Sequence, residues 1–143
     1  MEKVTNTLGR FLKTNLAQRV NVKYVASKSF TDEAGKPLEW ELRASTVQED
    51  EQLRKECTKR RATKYGQYTE EFDANEYMSR LVANSIVYPD LNDSELQDSY
   101  GTRGASSLLK QMLLPGEYTE LTAKINEVNG YEPFEQLVEE AKN

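Results

Sequence analysis

Apolar positions divide the chain into stretches of different period. Phe11, Leu12 and Leu16 follow Leu8 at offsets of three, four and eight, which marks one face of a short helix. With Gly9 inside it and so few turns, that helix is marginal alone and is expected to dock on something. Between residues 20 and 46 the period falls to two. Val20, Val22, Tyr24 and Ala26 alternate with Asn21, Lys23 and Ser27. After a turn at Asp32–Pro37, Leu38, Trp40 and Leu42 alternate with Glu39, Glu41 and Arg43. This pattern predicts a β-hairpin with one wet face and Trp40 anchoring the dry one. A lone hairpin is barely stable, so it needs helices beneath it or strands from another copy beside it.

From Thr46 onward the pattern is helical. Val47 to Lys64 predicts one helix with Leu53 and Cys57 on a single face. Its acidic start (Glu49, Asp50, Glu51) and basic end (Lys59, Arg60, Arg61, Lys64) suit the helix dipole. The polar stretch Tyr65–Glu71, which contains Gly66, predicts a hinge. Asp73 and Glu76 have capping-box spacing and open a helix carrying Tyr77, Met78, Leu81, Val82, Ser85 and Ile86, with Pro89 beyond its end. Asn92 and Glu95 repeat that spacing before a short helix with Leu96, ended near Gly101. Leu108, Leu109, Met112 and Leu113 form a stripe stopped by Pro115. Tyr118, Leu121, Ile125 and Val128 form another, stopped by Asn129 and Gly130. Pro133 suits the first turn of a last helix with Phe134, Leu137, Val138 and Ala141. The expected fold is mainly α (α+β), an N-terminal β-hairpin followed by a bundle of about six short helices. The expected organisation is an N-terminal region 1–64, a hinge at 65–71 and a C-terminal helical domain 72–143.

Composition narrows the function. A chain of 143 residues buries enough surface to fold without staples. Its 30% charged residues and mean hydropathy of -0.79 point to a thin core. No apolar run is long enough for a membrane span. The absence of histidine removes the commonest general base and the commonest metal ligand. A single cysteine excludes an internal disulfide and a thiolate cluster. A net charge of -5 argues against a general nucleic-acid binder. The first 20 residues hold neither an apolar stretch of signal-peptide length nor a small-residue cleavage site, so a cytoplasmic protein is expected.

No catalytic motif stands out. There is no Gly-rich phosphate loop, no GxSxG and no calcium loop, so no enzyme activity, metal or cofactor is expected. Carboxylates are plentiful, but solvated acidic faces usually explain such content. Arg60, three residues after Cys57, could activate the thiol. Without histidine as a base, a small buried apolar residue is the stronger reading of Cys57. The only positive cluster is Lys55, Lys59, Arg60, Arg61 and Lys64. It reads either as a contact for nucleic acid or an acidic partner, or as a solvated helix end. Tyr65 and Tyr68 follow it, and interleaved aromatics suit nucleic acid. Tyr77, Tyr88, Tyr100, Tyr118 and Tyr131 fall in the C-terminal half, either as core rim or as a protein-binding surface.

Four phrases carry a family resemblance: EYMSRLVANSIVYPDL, YPDLNDSELQDSYG, LLKQMLLPGEY and the closing VNGYEPFEQLVEEAKN. In this order, over residues 71–143, they resemble the XkdN-like family of phage tail assembly chaperones, found in prophages and defective phage-like elements. The resemblance implies a non-enzymatic protein that binds the tape measure protein, a long helical chain prone to aggregate. It implies that the chaperone keeps this partner soluble, helps recruit tail-tube subunits, self-associates, and leaves before the virion is complete. Accepting an amphipathic helix requires an apolar groove. Tyr88, Leu91, Leu96, Tyr100, Leu108, Leu109, Met112, Leu113 and Leu114 are the candidates for it, because five apolar positions crowd into Leu108–Leu114, more than one helix face holds. The competing reading makes those same positions core. The competing function is a nucleic-acid-binding or regulatory adaptor using Lys55–Lys64.

Overall fold

A computed structural model of the chain describes residues 7–15 and 20–131. The N-terminal apolar stripe forms two 3-10 turns, Leu8–Phe11 and Lys13–Asn15, rather than an α-helix. Leu8, Phe11 and Leu12 are exposed. The short segment gains too few hydrogen bonds to nucleate an α-helix, and Leu16, the fourth member of the stripe, lies outside the described residues.

The period-two region forms strands as expected. β1 (Val22–Tyr24) pairs antiparallel with β2 (Trp40–Leu42), with Tyr24 opposite Trp40 and Val22 opposite Leu42. The long connection is itself folded: Thr31 bridges Pro37, and the Asp32 carboxylate accepts the N–H groups of Ala34 (2.8 Å) and Lys36 (3.0 Å). Trp40 and Leu42 point into the core, while Glu41 faces out to Lys23 (2.8 Å) and Asn21 (2.9 Å).

α1 spans Val47–Glu56 and opens with a full capping box: Thr46 Oγ1 accepts the Glu49 N–H, and Glu49 accepts the Thr46 N–H. The single helix expected to run to Lys64 stops here. Cys57 caps it, and β3 (Thr58–Ala62) pairs antiparallel with β4 (Tyr68–Phe72), with Arg60 opposite Glu70 and Lys59 opposite Glu71. Beyond Cys57 the basic run offers no large apolar side chain to hold a helix on the core. An acidic strand ten residues on offers it a charge-matched partner instead. The segment read as a hinge is the turn and most of β4, with Gly66 at φ 76°, a left-handed position that suits glycine.

α2 (Ala74–Asn84) is capped by Asp73, which accepts the Glu76 N–H at 3.0 Å, while the Glu76 carboxylate turns to Arg80. The helix ends two residues short of Ile86. Ser85 folds its hydroxyl back onto the Leu81 carbonyl at 2.7 Å, and β5 (Ile86–Tyr88) becomes the third strand of the first sheet, in the order β1-β2-β5. β2 therefore finds its second neighbour within its own chain. Ile86 faces the core from either conformation, so the apolar stripe alone did not separate them.

α3 (Ser94–Ser99) is capped by Asp93 rather than Asn92. α4 spans Ala105–Met112 and α5 spans Pro115–Val128. Pro115 both bars α4 and occupies the first position of α5, where a missing N–H costs nothing. The described residues thus hold five α-helices and five strands, a mixed α+β fold with less helix than expected. The helix expected from Pro133 lies outside the described residues. A single core joins Trp40, Leu42, Leu53 and Cys57 with Leu81, Val82, Leu108, Leu109, Leu121 and Ile125. Ser45 N–H donates to Asn129 Oδ1 at 2.8 Å, tying the end of α5 to the entry of α1.

Candidate functional site

A cleft of about 640 Å³ opens where β1, α1, α2 and α5 meet. Its apolar lining is Tyr24, Tyr77, Met78, Leu81, Ala123 and Tyr131, and its rim carries Arg54, Glu120, Lys124 and Glu127. The helix period explains the wall: Glu120, Ala123, Lys124 and Glu127 stand at i, i+3, i+4 and i+7 of α5, on one face. The opposite stripe, Leu121 and Ile125, is fully buried, which turns this face outward. Lys124 Nζ lies 3.4 Å from Glu127 Oε1. The cleft therefore has an apolar floor and a rim of both charges.

One polar cluster stiffens its α1–α2 wall. The Tyr77 hydroxyl donates to Asp50 Oδ1 and accepts from Arg54 Nη2 at 3.2 Å. Arg54 Nε donates to Asp50 Oδ2 at 2.9 Å. The Arg54 guanidinium sits 4.3 Å from the centre of the Tyr77 ring and 5.8 Å from that of Phe72. Burial, then the hydrogen bond to Asp50, pushes the Tyr77 hydroxyl up to about 12. Burial pushes Asp50 upward too, but hydrogen bonds from Tyr77 and Arg54 outweigh it and hold the carboxyl below its ordinary value. Across the cleft, burial and then the charge of Glu120 raise Tyr24. These shifts hold Asp50 ionised and Tyr77 protonated at neutral pH, a fixed structural arrangement rather than a poised acid–base pair.

The candidates taken from sequence separate by burial. Leu91, Leu108, Leu109 and Leu113 are core. Leu96, Tyr100 and Met112 are half-buried and pack against it. Tyr88 and Leu114 are exposed. The crowding at Leu108–Leu114 resolves because the chain leaves the helix at Leu113, which is extended (φ -109°, ψ 149°), and Leu114 then caps α5. Tyr77 and Tyr131 do meet at the cleft, as a tyrosine-lined surface would require. Tyr24 and the α5 rim were missed. The rim had a signal in the polar side of the α5 stripe, where Ala123 interrupts a charged face, whereas Tyr24 had none beyond its place in the period-two alternation.

The basic run is divided among three elements: Lys55 on α1; Lys59, Arg60 and Arg61 on β3; and Lys64 in the turn. Lys59 Nζ is 3.8 Å from Glu76, Arg61 Nε is 3.1 Å from Glu71, and Arg60 stacks 4.7 Å from the centre of the Tyr68 ring. Cys57 is fully buried, and burial raises its thiol above the ordinary range, so it is packed rather than activated. Among the described residues, no group of three or more Asp, Glu or Cys side chains is placed to hold a metal ion. No helix there is long and apolar enough to cross a membrane.

Three comparisons bear on this architecture. A family model described as phage XkdN-like tail assembly chaperone protein matches residues 8–142, well beyond the stretch that carried the resemblance. The chain is similar to the phage-like element PBSX protein XkdN of Bacillus subtilis (strain 168). The two are 30% identical over 138 residues, covering 95% of this chain and 93% of that one. It is equally similar, at 30% over 138 residues, to the uncharacterized protein YqbN of the same strain. A crystal structure of the protein YqbN superposes with a TM-score of 0.75 at 26% identity, covering 91% of this chain and all of that one.

Proposed function

The chain belongs to the XkdN-like family of phage tail assembly chaperones, and on that premise we propose that it binds the tape measure protein, keeps it soluble and assists tail-tube assembly, without catalysis. It does so in the host cytoplasm and departs before the virion is finished. The observation that carries this reading is the cleft between α2 and α5. Tyr24, Tyr77 and Tyr131 give it aromatic rings, the Tyr77 hydroxyl being held by Asp50 and Arg54, and its rim offers both charges. An amphipathic helix of the partner lays its apolar face on Met78, Leu81 and Ala123 and its charged flanks on Arg54, Glu120 and Lys124. Tyr88, Leu114 and the half-buried Leu96, Tyr100 and Met112 remain accessible to the partner outside the cleft, whereas Leu91, Leu108, Leu109 and Leu113 support the fold.

The test is co-expression with the tape measure protein encoded beside this gene. The expected result is co-purification and a rise in soluble tape measure protein. Ala123→Trp fills the cleft and should cut retention roughly tenfold, the equivalent of about 1.4 kcal/mol, while Ala123→Ser should retain it. Equal retention by both variants, with unchanged thermal melts, would refute the cleft. No rise in soluble partner with the native chain would refute the chaperone role itself.

A further inference from the structure

The hairpin β3–β4 is not used by the cleft. Nine of its ten strand residues are exposed, on both faces, and among the described residues no third strand pairs with either outer edge. A free two-stranded ribbon is barely stable in water. Two backbone bonds fix which groups face outward. Asp73 N–H donates to the Cys57 carbonyl at 2.9 Å, and Thr63 N–H to the Gln67 carbonyl at 2.6 Å. Antiparallel pairing alternates, so odd-numbered residues bond within the hairpin. Thr58, Arg60 and Ala62 then aim their N–H and C=O groups off one edge, and Tyr68, Glu70 and Phe72 off the other.

The two edges carry opposite charge. β3 holds Lys59, Arg60 and Arg61 and no acid; β4 holds Glu70 and Glu71 and no base. Charged edges ordinarily keep sheets apart. Here β3 beside β3 of another copy opposes cation to cation, and β4 beside β4 opposes anion to anion. Only β3 beside β4 sets opposite charges together. From this complementarity we propose that the hairpin joins copies of this chain head to tail, the β3 edge of one pairing with the β4 edge of the next. Antiparallel pairing would hold two folded bodies on one side of the ribbon only about 10 Å apart. A domain of this length has a radius of gyration of about 14 Å, so the bodies would collide. Parallel pairing turns the second hairpin end for end, sends its body to the opposite side, and sets Arg60 and Arg61 beside Glu70 and Glu71. The interface is heterologous, each copy offering two different edges. It also covers the exposed rings of Tyr68 and Phe72.

The test uses the full chain alone, so it succeeds or fails independently of the tape measure partner. Light scattering after gel filtration should show the mean mass rising roughly twofold or more between about 10 and 500 µM, and falling again with added salt. Proline at an outward-facing position removes an edge donor and spares the internal ladder. Arg60→Pro blocks only the β3 edge and Glu70→Pro only the β4 edge, so each alone should be monomeric. Mixed, they keep one good edge of each kind and should form a one-to-one dimer and nothing larger. A second set leaves the backbone alone and keeps opposite charges across the hairpin: the fourfold exchange Arg60→Glu, Arg61→Glu, Glu70→Arg and Glu71→Arg should associate with itself but should not be pulled down by the tagged native chain. If proline alters the far-UV spectrum, this second set decides. The proposal is overturned by a native chain that stays monomeric throughout, by assembly that survives in either proline variant alone, by a mixture of the two proline variants that remains monomeric, or by an exchanged chain that co-assembles with the native one. A monomeric chain that binds an oligonucleotide through the hairpin overturns it as well.

Discussion

At the residue scale, the contacts of Asp50, Arg54 and Tyr77 make stability depend on pH at both ends. Asp50 sits below its ordinary pKa in the fold. Its contribution is present above that ordinary value and is lost as pH falls through the folded one. Tyr77 is raised from 10.0 to about 12. Its contribution is complete below 10 and is lost as pH rises through about 12. Urea unfolding across pH should therefore show an acid limb that Asp50→Asn flattens and an alkaline limb that Tyr77→Phe flattens. At neutral pH, Tyr77→Phe removes a hydrogen bond to a charged carboxylate and should cost about 1.5–3 kcal/mol. Cys57 supplies a second check. Buried, with its thiol raised, it should resist iodoacetamide in the native chain and react promptly in urea, so rapid native labelling would contradict its place in the core.

At the element scale, α4 shows where core ends and surface begins. Leu109 is fully buried, and Leu109→Ala should cost about 2–5 kcal/mol in chemical unfolding. Leu114, five residues on, is exposed, and Leu114→Ala should fall within about 0.5 kcal/mol of the native chain. Equal losses at the two positions would mean that the helix packs differently. The sequence made the helices α2, α3, α4 and α5 and the β1–β2 hairpin legible, because each pairs a clear period with a cap or a breaker. It hid β3, β4 and β5 for two reasons. Ile86 continues a helical stripe by spacing, while the β-branched Ile86 and Val87 and the aromatic Tyr88 favour a strand. The run from Lys55 to Lys64 has no apolar period, so its partner at Tyr68–Phe72 was visible only as charge complementarity at a distance. The cleft was half legible: Tyr77 and Tyr131 belong to the tyrosine-rich C-terminal half, while Tyr24 and the α5 rim come together only through tertiary packing.

At the scale of the whole molecule, the cleft and the hairpin meet through two side chains, Arg54 and Tyr77. Arg54 stands on the rim of the cleft, bonds to Tyr77, and lies 5.8 Å from the ring of Phe72 at the base of β4. Phe72 and Tyr77 are themselves 5.6 Å apart, ring to ring. A partner helix that settles against Tyr77 therefore reaches the root of the strand that meets the next copy. Ala123→Trp should lower tape measure retention alone, and Arg60→Pro should lower self-association alone, because neither touches this contact. Arg54→Ala should lower both. Arg54→Lys should lower both as well, since lysine keeps the charge but not the planar guanidinium that bridges the two rings and the carboxylate. Retention and mean mass, measured side by side for the four variants, check this. If Arg54→Ala reduces only one of them, the hairpin and the cleft work as separate surfaces on a common body. If it reduces both, assembly of the copies and capture of the partner are coupled through the contact of Arg54 with Tyr77 and Phe72.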